Sequence, residues 1–401
     1  MLDSPVLPDT YKFLLRALAL TTSAALTLTL DLVPLAALLL ILRMRARPWP
    51  LLEAAADLGA GWWTRLWLVD WPHLRPALAV VWVWSALQVL GDTVALEIAG
   101  GGKVYGPGLL IRDALIHDGA PARALLGILV LLAAAVPCAM ALGRELALAA
   151  RPTQEQRPAS PRWRLAGALL WLTLLAVPST ALLGPHPEGV SGHDRVLADL
   201  LGQTLGLAAV VAVLAVLGGF AAGLALRGRS LAQGSAGRWI TAALLLPVAV
   251  PDSIYGLLSL NAASQLGLGP GSALTVLALL PAALALALLV ARVSASTIPD
   301  VLLEAAADLG ADWWQRLRWV WLPLARPALL VALLLVAAWV LGQATIPSFT
   351  SGPGGDTLAV GLTVLARGGA WPVVRRWSLA LIVLPTISVL AIHGLSPRRR
   401  S

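Results

Sequence analysis

Apolar stretches close to 20 residues long recur along this chain, and they leave it few ways to fold. A helix needs about 20 consecutive apolar residues to cross the hydrocarbon of a bilayer. The runs here are continuous Leu, Ala and Val rather than the short alternating segments of a membrane barrel. Composition agrees, with 58% hydrophobic and 12% charged residues and a mean hydropathy of +0.81, outside the range of soluble chains. The expected fold is therefore an all-α polytopic membrane protein. Nine spans are predicted, near Phe13–Leu42, Arg75–Ile98, Ala122–Leu142, Arg164–Leu183, Leu200–Leu226, Trp239–Ala262, Ala273–Ser294, Arg326–Ile346 and Val374–His393. The first is overlong for one straight helix, and Asp31 and Pro34 predict a break or a strong tilt in it.

Arginine sets the expected orientation. If nine spans alternate, Arg43, Arg45, Arg47 and Arg65 fall on one side with the runs at 144–164, 227–238, 292–318 and 398–400. That side is cytoplasmic by the positive-inside rule, and it would carry the C-terminus. Lys103, Arg112, Arg195 and Arg367 are left on the other side, while Lys12 and Arg16 near an outer N-terminus run mildly against the bias. The formal net charge of +8 is then a matter of topology. Basic residues for DNA or RNA would gather on one face, and none do, so nucleic acid is not an expected partner. The opening MLDSPVLPDT lacks a basic n-region and is not read as a signal peptide. Cys138, the single cysteine, lies in an apolar run and reads as a small core residue.

Between Leu51 and Leu78 the chain reads LLEAAADLGAGWWTRLWLVDWPHLRPAL, and between Leu302 and Leu329 it reads LLEAAADLGADWWQRLRWVWLPLARPAL. Twenty of these 28 positions are identical at an offset of 251 residues; unrelated Ala/Leu-rich stretches would share roughly four. This is an internal duplication. Six predicted crossings separate the copies, an even number, so both should face the same side in the same sense. That excludes an inverted-topology repeat.

Each copy predicts a short helix, a hard turn and a second helix. Leu52, Ala55, Ala56 and Leu58 give an apolar face beside Glu53 and Asp57, and Gly59 stops the helix as a glycine at positive φ does. The second helix starts near Gly61 in the first copy and at Asp312, a good N-cap, in the second. Pro72 and Pro323 are expected to end it. Paired tryptophans beside exposed acids suit a binding surface. They equally suit an amphipathic hairpin resting in lipid headgroups.

The spacing also carries a family resemblance. Glu53-Ala54-Ala55, three residues, Gly59, nine residues, Val69, one residue and Trp71-Pro72 is similar to the EAA loop of ABC-importer permeases. So is Glu304-Ala305-Ala306 with Gly310, Val320 and Leu322-Pro323, and the first copy departs from the pattern only at Trp71. Leu244–Gly256 (LLLPVAVPDSIYG) resembles the Pro-rich span that precedes such a loop, and two loops in one chain resemble the fused permeases of ferric-iron, thiamine and aminoethylphosphonate importers. The resemblance implies a transmembrane subunit of an ATP-binding-cassette importer in the cell inner membrane, built from two tandem, parallel type I permease repeats. It implies that Glu53, Ala54, Ala55 and Gly59, and Glu304, Ala305, Ala306 and Gly310, dock on a cytoplasmic ATPase dimer. A periplasmic solute-binding protein is the other implied partner, and the translocated species a small solute.

On this reading residues 1–150 form an N-terminal half of three spans, 151–163 a cytoplasmic linker rich in Pro, Gln and Arg, and 164–401 a C-terminal half of six spans. The first half is expected to be truncated, lacking the three spans that match Arg164–Ala262. The chain holds no Gly-x-x-x-x-Gly-Lys-Ser/Thr loop, and Gly101-Gly102-Lys103-Val104 fails at Val104; the ATPase is expected on a separate chain. The five dispersed histidines lack ligand spacing, no nucleophile–base pair stands out, and no cofactor is expected. Asp92 and Gln343 occupy equivalent places, after Val89–Gly91 and Val340–Gly342, and with Asp252 they are candidates for lining a pathway, since polar groups within spans are costly and often functional. Asp252 can equally cap a broken helix after Pro251. The rival function is an ATP-independent channel or carrier whose repeated hairpin is only an interfacial anchor.

Overall fold

The computed structural model describes residues 49–100, 106–116, 121–149, 191–226, 235–352 and 357–379, with isolated positions at 32, 36, 39–40, 43–44, 381 and 383. The expected spans Phe13–Leu42 and Arg164–Leu183, the linker 151–163 and most of Val374–His393 lie outside the described residues. Among the described residues every regular element is helical. In chain order these are α1 (Trp49–Asp57), α2 (Trp62–Arg65), α3 (Trp71–Gly91), α4 (Val94–Ala99), α5 (Pro107–Ile116), α6 (Pro121–Ala149), α7 (Ser191–Ala225), α8 (Ser235–Ala249) and α9 (Asp252–Gln265). They continue with α10 (Ser272–Thr297), α11 (Asp300–Asp308), α12 (Trp313–Arg316), α13 (Leu322–Gly342), α14 (Thr345–Thr350) and α15 (Leu358–Arg367).

Five described helices are long and apolar enough to cross a membrane: Trp62–Gly91, Ala122–Glu145, Asp194–Ala225, Ser272–Arg292 and Trp313–Gly342. Helices α8 and α9 qualify only as a pair, bent by 101°. The expected span Trp239–Ala262 is thus broken at Pro251, the broken helix that Asp252 was read as able to cap. Pro251 has no N–H to continue the α8 ladder and pushes Val250 away from helical angles, so the chain turns there. The expected spans Arg75–Ile98 and Arg326–Ile346 are also cut short: α3 and α13 stop at Gly91 and Gly342, and separate short helices follow.

One large core draws on helices from along the described chain. Trp84 and Leu87 of α3, Ala135 and Leu142 of α6, Val211 and Ala215 of α7, Leu245 of α8, Leu279 and Ala283 of α10, and Val336 and Val340 of α13 belong to a single buried cluster. Helix α10 lies at its centre: 61% of its apolar stretch is buried, against 22% for Trp62–Gly91 and 28% for Trp313–Gly342. Its alanines explain this place. Ala287 and Ala291 face Gly219 and Gly223 of α7 so closely that a Cβ on either glycine would press on them. With lipid as solvent, such small-on-small contact is the main source of helix association. Helix α8 packs chiefly on α6, and its contact with α10 is smaller.

The duplication outlasts its legible 28 residues. Helices α4 and α5 have their counterparts in α14 and α15 at the same offset of 251 residues, although only the first pattern could be read from identity.

Candidate functional site

Both copies of the repeat fold as the same knob. The α1 helix closes with Gly59 N–H donating to the Ala56 carbonyl at 2.9 Å and Ala60 N–H to the Ala55 carbonyl at 2.9 Å. The α11 helix closes with Gly310 N–H on the Ala307 carbonyl at 2.8 Å and Ala311 N–H on the Ala306 carbonyl at 3.0 Å. This paired closure needs a residue in the left-handed region, and Gly59 (φ 70°) and Gly310 (φ 80°) supply it. The expected hard turn is found in both copies. Glu53, Ala54, Gly59, Glu304, Ala305 and Gly310 are exposed, with Ala55 and Ala306 partly covered. Leu58 and Leu309, next to the turn glycines, are 87% and 88% exposed, so each knob presents an apolar tip beside an acidic residue.

The helix after each turn does not end at proline, contrary to expectation. Trp62–Gly91 and Trp313–Gly342 are each continuous for 30 residues, passing through a wide π turn at Leu66–Asp70 and at Leu317–Trp321. Pro72 and Pro323 follow in the first turn of α3 and α13. A π turn displaces the carbonyl that a proline ring would strike and absorbs its missing donor. Thirty residues at 1.5 Å each make about 45 Å, against about 30 Å of hydrocarbon. The π turns and tryptophans therefore belong to the end that emerges beside the knobs. Trp62, Trp63, Trp67 and Trp71 form a chain of ring contacts 5.1, 5.9 and 5.5 Å apart, and the second copy has Trp313 and Trp314 at 6.2 Å.

The knobs also differ. Asp312 caps α12 in a full capping box, accepting from Gln315 N–H at 2.6 Å while its own N–H donates to Gln315 Oε1 at 3.0 Å. Gly61, its counterpart, makes no side-chain cap. The second knob is seated on a small apolar cluster of Ala295, Ile298 and Trp321 with Leu303 and Leu317.

Asp92, Gln343 and Asp252 gather around the start of α9. Asp92 and Gln343 occupy the two breaks after α3 and α13, each with extended backbone. Gln343 Nε2 donates to Asp252 Oδ2 at 2.9 Å. Gly91 presses against Pro251, leaving no space for a Cβ, and Ser253 Oγ donates to the Gly91 carbonyl. Trp84 Nε1 and Gln88 Nε2 both donate to the Val248 carbonyl, at 2.9 and 2.8 Å, the kind of carbonyl freed where Pro251 ends the α8 ladder. Both breaks of the duplication thus meet one bend. Asp92 has a local role as well, since its Oδ1 accepts from Ala95 N–H at 2.8 Å and caps α4. Asp252 lies in the first turn of α9, where the helix dipole favours a carboxylate.

Sequence reasoning missed the charged cluster at the end away from the knobs. Glu97 of α4 accepts through Oε2 from Arg112 Nη1 at 2.8 Å and from Arg367 Nη2 at 2.9 Å. Arg112 Nε also lies 3.3 Å from Asp113 Oδ1. Burial works to lower the affinity of Arg112 for its proton, but hydrogen bonds and charge from Glu97 and Asp113 outweigh it, and the pKa is raised. The only sequence signal was four charges among apolar helices, because Glu97 and Arg367 are 270 residues apart. A second missed set sits around Arg43: its Nε donates to the His73 carbonyl at 3.1 Å and lies 3.4 Å from Glu145 Oε2, while His73 Nε2 is 3.0 Å from the Arg43 carbonyl. It ties residue 43 to α3 and α6. Among the described residues no group of three or more His, Cys, Asp or Glu is placed to hold a metal ion.

Fold and sites together define a polytopic, all-α membrane protein with two like knobs and one large core. Residues 203–399 match the model of the family described as the binding-protein-dependent transport system inner membrane component. The spermidine/putrescine transport system permease protein of Escherichia coli K12 is 33% identical over 90 residues, 22% of this chain and 34% of that protein. The same figures hold for the Shigella flexneri protein of that description. A candidate 2-aminoethylphosphonate transport system permease protein of Salmonella typhimurium is 28% identical over 207 residues, 51% of this chain and 75% of that protein. The match spans about a third of the spermidine/putrescine relatives, 34% of their length. Residues 203–399 are thus similar to the inner-membrane components of binding-protein-dependent transport systems.

Proposed function

We propose that this chain is the transmembrane subunit of an ATP-binding-cassette importer, translocating a small solute handed over by a periplasmic binding protein. A separate cytoplasmic ATPase dimer drives it, and the knobs around Gly59 and Gly310 are the two points where that dimer docks. Both knobs and the C-terminus face the cytoplasm. The observation that carries this reading is the pair of matching knobs, each with a nearly bare leucine at its tip and each rigidly continued into a 30-residue helix. A rigid knob joined to a membrane helix can pass a push from an ATPase to the far end of that helix. ATP binding can then bias two global arrangements of the halves, as in other interface-driven transitions. Both driven helices end beside the bend at Pro251, which puts Asp92, Gln343 and Asp252 where such a motion would be felt. That supports a lining role for the three. Two carboxylates there suit a cationic or amine-bearing solute, in keeping with relatives described as spermidine/putrescine and 2-aminoethylphosphonate permeases.

The test is capture of the candidate ATPase by membrane-inserted wild-type chain and by three variants. Glu304→Arg and Gly310→Val should lose the ATPase. Asp92→Leu should retain it while reducing solute uptake. Undiminished capture by both knob variants, or none by folded wild type, would refute the docking assignment and favour an interfacial anchor.

A further inference from the structure

At the end of the molecule away from the knobs, a charged contact joins α4 to α15, and the symmetry-related positions carry no charge. Helix α4 continues the first half beyond its break, whereas Arg367 closes α15 of the second half, and the two helices pack together. Glu97 Oε2 bridges Arg112, its neighbour in the first half, and Arg367, its partner across the halves, at 2.8 and 2.9 Å. All three side chains are partly withdrawn from solvent, at 25% exposure for Glu97, 20% for Arg112 and 43% for Arg367. The duplication supplies an internal control. At the same offset of 251 residues, Glu97 corresponds to Ser348 and Arg367 to Ile116. The symmetry-related positions carry no charge.

We propose that Glu97 and Arg367 form a one-sided clasp that holds the halves together at the end away from the knobs, and that opening this end requires the pair to separate. Arg112 is the positioning residue: it stays in the first half, holds the Glu97 carboxylate in place, and keeps it paired after Arg367 leaves. The clasp can therefore open without leaving a partly buried carboxylate unpaired, which would be costly. Because the symmetry-related positions Ser348 and Ile116 carry no charge, no equivalent ion pair has to break between them. This inference rests on the alternating access of the proposed function, but its distance measurement uses neither ATPase nor solute.

The experiment places spin labels at Leu110→Cys of α5 and Val364→Cys of α15, both exposed at 59% and 55%, in a Cys138→Ser full-length background. Distance distributions are recorded for the parent, Glu97→Gln, Arg367→Gln and Arg367→Lys. A partly exposed ion pair is worth roughly 0.5–1 kcal/mol, so both Gln variants should raise the ratio of long to short distances about two- to five-fold. Arg367→Lys should return the ratio toward the parent, which a merely structural arginine would not require. Unchanged distributions in both Gln variants would overturn the clasp. So would an Arg367→Lys distribution matching that of Arg367→Gln. Retained ATPase capture by Arg367→Gln keeps this result separate from the docking assignment.

Discussion

Replacing Gly310 should loosen the second knob by an amount set by its backbone alone. Its φ is +80°, and a Cβ built there meets nothing within 4 Å, so no clash with a neighbour contributes. The cost is that of holding an L-residue in the left-handed region, about 1–2 kcal/mol, with alanine near the lower figure and β-branched valine at or above the upper. Asparagine visits that region readily and should cost much less. Two amides report the closure directly, Gly310 N–H on Ala307 and Ala311 N–H on Ala306. At 1.4 kcal/mol per factor of ten, the Ala311 amide should exchange with solvent about five-fold faster in Gly310→Ala and about 30-fold faster in Gly310→Val. Gly310→Asn should stay within about three-fold of wild type. Hydrogen exchange read by mass spectrometry on peptides covering 300–316 makes the measurement. Equal protection in the Gly, Ala and Val forms would refute the reasoning, because it would mean that the turn does not depend on positive φ. The order Asn, Ala, Val matters more than any single figure, since only backbone strain predicts it.

The two caps should respond unequally. Asp312→Ala removes the capping box and should cost α12 about 1 kcal/mol, whereas Gly61→Asp should gain the first copy only a few tenths; amide exchange at residues 315 and 64 reports both. Gly91→Ala drives a methyl group into Pro251 and should lower stability by about 1–3 kcal/mol, as overpacking does. Gly342→Ala, at the equivalent place but with open space around it, should be close to neutral. Thermal unfolding of both variants in detergent separates them, and equal melting temperatures would argue against the tight α3–α9 approach.

Much of the candidate site was legible because it depends on local chemistry. Gly59 and Gly310 announced a positive-φ stop, Asp312 announced a cap, and the duplicated Glu-Ala-Ala spacing announced a pair of like knobs. Local rules misled where a neighbouring element changed the terms. Pro72 and Pro323 read as helix ends, but π turns at Leu66–Asp70 and Leu317–Trp321 carry the helix past them. Apolar composition likewise carried two expected spans through Asp92 and Gln343, where the backbone in fact breaks to meet α9.

What the sequence determined by itself is the class of fold and the existence of two equal knobs. Long apolar runs admit only helices in lipid, and 20 shared positions in 28 specify one local structure twice. What only the tertiary structure decided is which parts meet. Hydropathy is periodic along the chain and carries no information on partners, so it could not place α8 against α6, or Gln343 against Asp252 across 91 residues. Nor could it pair Glu97 with Arg367, because an ion pair between halves is fixed by helix packing and by the asymmetry of two diverged copies.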